Sequence, residues 1–297
     1  MGAGAAAALG SSALWALTSV LLTSQSTRLR PLMMSAIRSL TASLILIGIL
    51  VTTGGLIQLR EMTVITGLSM IGSGVIGQAV GDTLYINALG FLGVTRTFPI
   101  TNSAYPFLTF LLAVLLLGEK VAWTLPIGGV LIVAGITWIV LEQRRADAGS
   151  AVKVELVRGV VFALGAALMW ATATVWLRGQ QGNLNAVAAA SLRIPAASSA
   201  VWLTLAMTRG RERLPRPQPS RRSIGIVALA GLLGTGIGSI LFVYAVDELG
   251  AARTAFLTTS APIFALPMSV LFLHEKLTPR VLVGTLITIA GIWLVLL

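Results

Sequence analysis

The chain has no cysteine, one histidine and only ten acidic residues in 297 positions. The first absence removes disulfides, thiolate metal sites and thiol redox chemistry together. The other two leave little material for a metal cluster or for general acid–base catalysis. An integral-membrane enzyme, the reading furthest from the one developed below, would need a convergent nucleophile, base or metal group at one membrane face, and the sequence offers none. No metal and no cofactor is expected. A Walker A sequence is also missing, so ATP is not expected to act from within this chain. Charge of either sign is scarce: 10% of residues are charged, against about 25% in an ordinary soluble domain.

Apolar residues fill the space, at 56% of the chain. They fall into roughly ten runs, most near the ~20 residues that span a bilayer as a helix. The expected spans are 2–24, 32–53, 63–89, 94–117, 124–141, 158–178, 184–207, 223–246, 252–272 and 279–297. A soluble bundle would need polar helix faces that these runs lack. The first run has no basic residues before it, so it reads as a retained span rather than a signal peptide.

Basic residues gather in alternate connections. Arg28 and Arg30 lie in the first, Arg144, Arg145, Lys153 and Arg158 around the fifth, Arg209, Arg211, Arg213, Arg216, Arg221 and Arg222 in the seventh, and Lys276 and Arg280 in the ninth. The even connections hold only Arg60, Lys120 and Arg178. Short cytoplasmic loops collect Lys and Arg, so both termini are expected on the periplasmic side. The stretch "RGRERLPRPQPSRRS" alternates three prolines with its charge. It reads as a stiff linker facing anionic lipid, not as a nucleic-acid patch.

The sequence also repeats itself. "LGVTRT" (Leu92–Thr97) returns as "LGAART" (Leu249–Thr254), and "ALGSSALWALTSV" (Ala8–Val20) as "ALGAALMWATATV" (Ala163–Val175). Trp15 pairs with Trp170, Arg38 with Arg193, Gly77 and Gly81 with Gly234 and Gly238, and Glu119 with Glu275, at a spacing of 155 to 157 residues. This is a duplicated five-helix unit, expected as 1–147 and 148–297. Five is odd, so the second copy enters the membrane from the opposite side. Inverted repeats of this kind are typical of secondary transporters, which hold substrate near the midplane between the halves.

Ten spans, two five-helix halves and a paired "LG..RT" motif running on to Glu119-Lys120 and Glu275-Lys276 resemble the EamA-type branch of the drug/metabolite transporter superfamily. Within it the chain is most similar to the YddG-type exporters of aromatic amino acids. The resemblance covers essentially the whole length. It implies an all-α membrane protein of the bacterial inner membrane, with spans 1 to 4 and 6 to 9 around a central cavity and spans 5 and 10 peripheral. It also implies export of small organic metabolites by alternating access, with amino acids, aromatic ones above all, as the expected substrates. Membrane lipid is the other expected partner.

Asp82 is the one carboxylate placed well inside a span, where acids are costly enough to suggest function. A structural alternative stays open, in which it lies near the helix end, reaches water and pairs with Arg96. Gln78 and Tyr85 share its helix face. Asn102 and Tyr105 share a face in the fourth span, beside Pro106; in the second half Ser239 is the repeat partner of Asp82, and Thr259 lies at the equivalent point of the ninth span. With Trp15 and Trp170 these residues form the expected substrate ring. Arg38 and Arg193 either attract a substrate carboxylate or snorkel to headgroups. Gly77-x-x-x-Gly81 and Gly234-x-x-x-Gly238 read as helix-packing sites. "GSGVIG" (Gly72–Gly77) satisfies a dinucleotide fingerprint but lacks the preceding strand. Trp123, Trp138 and Trp293 read as interfacial anchors, and His274 as a solvated loop residue. A small-multidrug-type pump for lipophilic cations would centre on a carboxylate in the first span, which holds none. Uncoupled facilitation is the remaining alternative.

Overall fold

The computed structural model is all-helical and describes residues 2–25, 28–92, 94–145, 156–208, 220–261, 263–264 and 279–297. Helices α1 (Gly2–Thr23) and α2 (Pro31–Thr52) are followed by a short α3 (Leu56–Glu61), which the hydropathy pattern does not announce. The third span is composite: α4 (Val64–Gly74), a π-helical segment (Val75–Gly81) and α5 (Asp82–Leu92). Then come α6 (Val94–Leu117), α7 (Thr124–Arg145), α8 (Leu156–Gln180) and α9 (Ala186–Thr208). The eighth expected span is composite in the same way, with α10 (Arg221–Ala230), a second π segment (Gly231–Ile237) and α11 (Gly238–Leu249). Helices α12 (Ala251–Thr258) and α13 (Pro279–Leu296) complete the order. Among the described residues, seven helical stretches are long and apolar enough to cross a membrane. The run expected over 252–272 is described over 252–261 and 263–264, its remainder lying outside the described residues, as do His274, Glu275, Lys276 and most of the arginine-rich seventh connection.

Local chemistry starts and stops these helices in matched places. Thr63 caps α4 by accepting the Thr66 amide, and Ser220 caps α10 by accepting the Ser223 amide. Each satisfies one of the orphan donors of a helix start. Proline opens α2, where no amide hydrogen is needed. Gly250, at φ +84°, ends α11 and begins α12 in one residue. That conformation suits glycine.

Packing is matched as well. Helix α1 lies against α11 and α8 against α5, while α1 also meets α12 and α8 meets α6. The first π segment touches α9 and the second touches α2. Helices α2 and α9 pack on each other, and so do α7 and α13. The α7–α13 seam is built on small residues, with Gly128 against Gly291 and Gly135 against Gly284 and Thr288. Much of the outer surface is large apolar side chains, Leu44, Ile65, Leu115, Val157, Leu203 and Leu286 among them. In water such a surface would drive association; in lipid it is the solvated face.

Candidate functional site

Two glycines bring the helices of the site together. A Cβ at Gly74 would overlap the backbone carbonyl of Arg193, and a Cβ at Gly231 would overlap that of Arg38. With no side chain there, α4 and α10 approach α9 and α2 at the turn that carries each arginine. One turn further along, Gly77 faces Ala173 and Gly234 faces Thr18. Gly81 lies under the indole of Trp170, and Gly238 under that of Trp15. All four glycines read from the sequence as packing sites therefore sit against the first or sixth expected span. The π segments that contain Gly77, Gly81 and Gly234, with Gly238 one residue beyond the second, have no sequence signature beyond glycine density. They widen the turn and free backbone carbonyls.

The result is a cavity of about 480 Å³ inside the bundle, within the range that holds a small organic ligand. Trp15, Gln78, Asp82, Tyr85, Asn102, Tyr105, Trp170, Ser239 and Thr259 all line it. Arg38 and Arg193 line it too, so these side chains face the cavity rather than lipid headgroups. The cavity continues past Leu22, Pro31 and Met34, where α1 ends and α2 begins. Among the described residues, none of α7 or α13 contributes to the lining.

Towards the last turns of α2 and α8 and the first turns of α1, Leu46, Met70 and Leu177 belong to one buried cluster, and Ala8, Ala113, Phe256 and Leu257 to another. Two polar contacts lie at this end. Glu119, after α6, accepts the backbone amides of Ala251 (2.8 Å) and Ala252 (3.3 Å) and so caps α12. Arg178 and Asp247 form an exposed ion pair at 3.2 Å.

Inside the cavity the two halves differ. Asp82 Oδ2 accepts from Arg38 Nη2 at 3.3 Å, and Oδ1 accepts from the Trp170 indole at 3.1 Å. The described partners of Asp82 are thus on α2 and α8; the Arg96 side chain lies outside the described residues. In the second half the position equivalent to Asp82 is Ser239, and the Trp15 indole donates instead to the freed Gly234 carbonyl at 3.1 Å. Trp170 also meets the rings of Tyr85 (centroids 5.4 Å apart) and Tyr105 (6.3 Å), while Trp15 meets Phe242 (5.5 Å). Tyr105 hydroxyl bonds Thr174 Oγ1 at 3.2 Å. Arg193 is 6% exposed, and its Nη1 has no hydrogen-bond partner. Phe242, Thr174 and Thr235 also line the cavity, and the sequence reading did not single them out. The repeat offset does mark them, since it pairs Phe242 with Tyr85, Thr235 with Gln78 and Thr174 with Ser19, and carrying Tyr85 and Gln78 across the duplication would have found two of the three.

Comparison with known proteins places these features. The model of the EamA-like transporter family matches the chain twice, over residues 2–141 and 157–297. An uncharacterised transporter of Bacillus subtilis, YvbV, is 24% identical over 277 residues, covering 89% of this chain and 82% of its own. An uncharacterised protein of Pseudomonas aeruginosa, PA1977, is 30% identical over 188 residues, which is 63% of this chain and 60% of its own. A solved crystal structure superposes with a TM-score of 0.81 at 16% identity, covering 99% of this chain and 96% of that one. At that identity the likeness speaks for the fold alone.

Proposed function

The chain belongs to the EamA-like transporter family, and from that premise we propose that it exports small amphipathic carboxylates, aromatic amino acids foremost, by alternating access. Family membership makes it a multi-pass membrane transporter of small molecules. The substrate class, direction and mechanism are what is proposed. The observation that carries the reading is one cavity lined by repeat-paired residues of both halves, Trp15 with Trp170 and Arg38 with Arg193.

We read the chain as ten spans in two inverted five-helix halves, 1–147 and 148–297, in a bacterial inner membrane. The twofold match to the family model and the matched helix pairings support that reading. If the halves adopt two slightly different conformations, exchanging them closes one mouth and opens the other. On the orientation implied by the loop charges, the mouth beside Leu22 and Pro31 faces the cytoplasm. The cavity then stands ready to load a cytoplasmic solute. Indole and phenol rings suit an aromatic body, and the arginines suit its carboxylate. The YddG-type aromatic exporters are the branch we favour, on overall pattern. Two cavity arginines against one acid weigh against lipophilic cations.

Counterflow into proteoliposomes with labelled aromatic amino acids and their deaminated acids tests this. At least one should accumulate against an unlabelled internal pool, at a rate that saturates with concentration. Equal signals from protein-free vesicles would end the proposal.

A further inference from the structure

We propose that the cavity selects organic monoanions, an aromatic or apolar body bearing one carboxylate and no compensating ammonium. The inference takes the cavity as the transport site, as proposed above, and within the amphipathic carboxylates it puts the deaminated acids ahead of the amino acids.

Three of the described lining side chains are formally charged, Arg38, Arg193 and Asp82, and two of these face each other as the Arg38–Asp82 pair at 3.3 Å. Asp82 is committed on both oxygens, one to Arg38 and one to the Trp170 indole. Arg193 is left over. Its Nη1 is buried without a hydrogen-bond partner, and no described carboxylate pairs with it. Arg38 Nε is also buried and unpartnered. Repeat-related cavity-lining residues on α2 and α9 therefore each hold one buried guanidinium N–H without a partner. A buried cation without a counter-charge is among the costliest arrangements a protein can hold. A ligand carboxylate removes that cost and matches the donor fork of a guanidinium.

The sign of the sum decides between ligands. Two arginines and one aspartate leave the cavity one positive charge in excess, which a monocarboxylate cancels. A zwitterion also brings a carboxylate for Arg193, but its ammonium needs an anion. Among the lining side chains that anion is Asp82, and taking it strips Arg38 of its partner. An amine without a carboxylate meets two arginines and gains nothing from Arg193. The excess arises at one point in the duplication, because the position equivalent to Asp82 in the second half is Ser239, a neutral cavity residue. An acid there would stand to Arg193 as Asp82 stands to Arg38 and would balance the cavity for a zwitterion.

The test uses three ligands with one ring and one chain length: 3-phenylpropionate, phenylalanine and 2-phenylethylamine. Binding to the protein in lipid nanodiscs is read from tryptophan emission, since Trp15 and Trp170 line the cavity. A hydrogen-bonded charge contact is worth roughly tenfold or more in affinity. We therefore expect 3-phenylpropionate to bind about tenfold more tightly than phenylalanine, with 2-phenylethylamine weakest. Arg193→Gln should erase the preference for the acid, and Arg193→Lys should keep part of it. Ser239→Asp should shift the preference toward phenylalanine, which a merely structural role for Arg193 would not produce. It also guards against an Arg193 variant that fails to fold. Phenylalanine or the amine binding best in the unaltered protein would overturn the charge selection, as would an Arg193→Gln variant that keeps the order. Counterflow with the same series separates the two proposals. Binding in the expected order without exchange would overturn the transport reading and leave the selection standing. Exchange in a different order would do the reverse, and no binding by any of the three would overturn both.

Discussion

Trp15 and Trp170 occupy equivalent positions in the repeat but have different environments. Trp170 is held on three sides, by the Asp82 carboxylate and by the rings of Tyr85 and Tyr105. Trp15 is held by a backbone carbonyl and Phe242. Both present ring surface to the cavity. Trp15→Ala and Trp170→Ala should each weaken ligand affinity several-fold, because a lost aromatic contact is worth about 1 kcal/mol beyond burial. Titrating each purified variant with the ligand that the native protein binds best checks this. Trp123 is 86% exposed and away from the cavity, so Trp123→Ala should leave affinity unchanged. A loss of affinity in that variant equal to that of Trp170→Ala would mean that the effect is general destabilisation.

Between elements, close approach depends on glycine at two matched points. Gly74 lies on the Arg193 backbone and Gly231 on the Arg38 backbone, where backbone atoms, unlike a flexible side-chain tip, cannot swing aside. Gly74→Ala and Gly231→Ala should each destabilise the protein by about 1–3 kcal/mol, the usual range for overpacking a well-filled interior. Gly48 on α2 has open space where a Cβ would go. Gly48→Ala should therefore be neutral or stabilise by up to about 1 kcal/mol through helix propensity. Thermal melts of detergent-solubilised variants compare the three directly. Equal melting points for all of them would show that the glycine contacts do not limit the approach of α4 and α10 to their partners.

For the molecule as a whole, orientation follows from where the charge is. Fourteen Lys and Arg residues lie in or beside the odd connections and three in the even ones. Short loops rich in Lys and Arg stay on the cytoplasmic side. A reporter that matures only in the periplasm, fused after Leu297, should be active, and one that fluoresces only in the cytoplasm should be dark. The opposite pair of results would reverse the orientation and turn the cavity mouth outward. The helix packing would be untouched, since it does not depend on which side is which.

The sequence by itself determined that this is an all-helical membrane protein with internal duplication. Those properties are local or periodic: apolar runs of bilayer length, and motifs recurring at a constant offset of 155 to 157 residues. Much of the cavity lining was legible for the same reason. Helical spacing puts Gln78, Asp82 and Tyr85 on one face, and the repeat offset picks out Trp170 once Trp15 is suspected. Pairings across helices were not legible. Which arginine meets Asp82 depends on α2, α5 and α8 converging, and sequence spacing says nothing about that convergence. The π segments at Val75–Gly81 and Gly231–Ile237 escaped as well, because one extra residue per turn leaves hydropathy unchanged. Glu119 was visible only as half of a repeated pair. Its carboxylate caps a helix that begins 132 residues later, and only the tertiary structure brings a helix start within reach of an acid so distant in the chain.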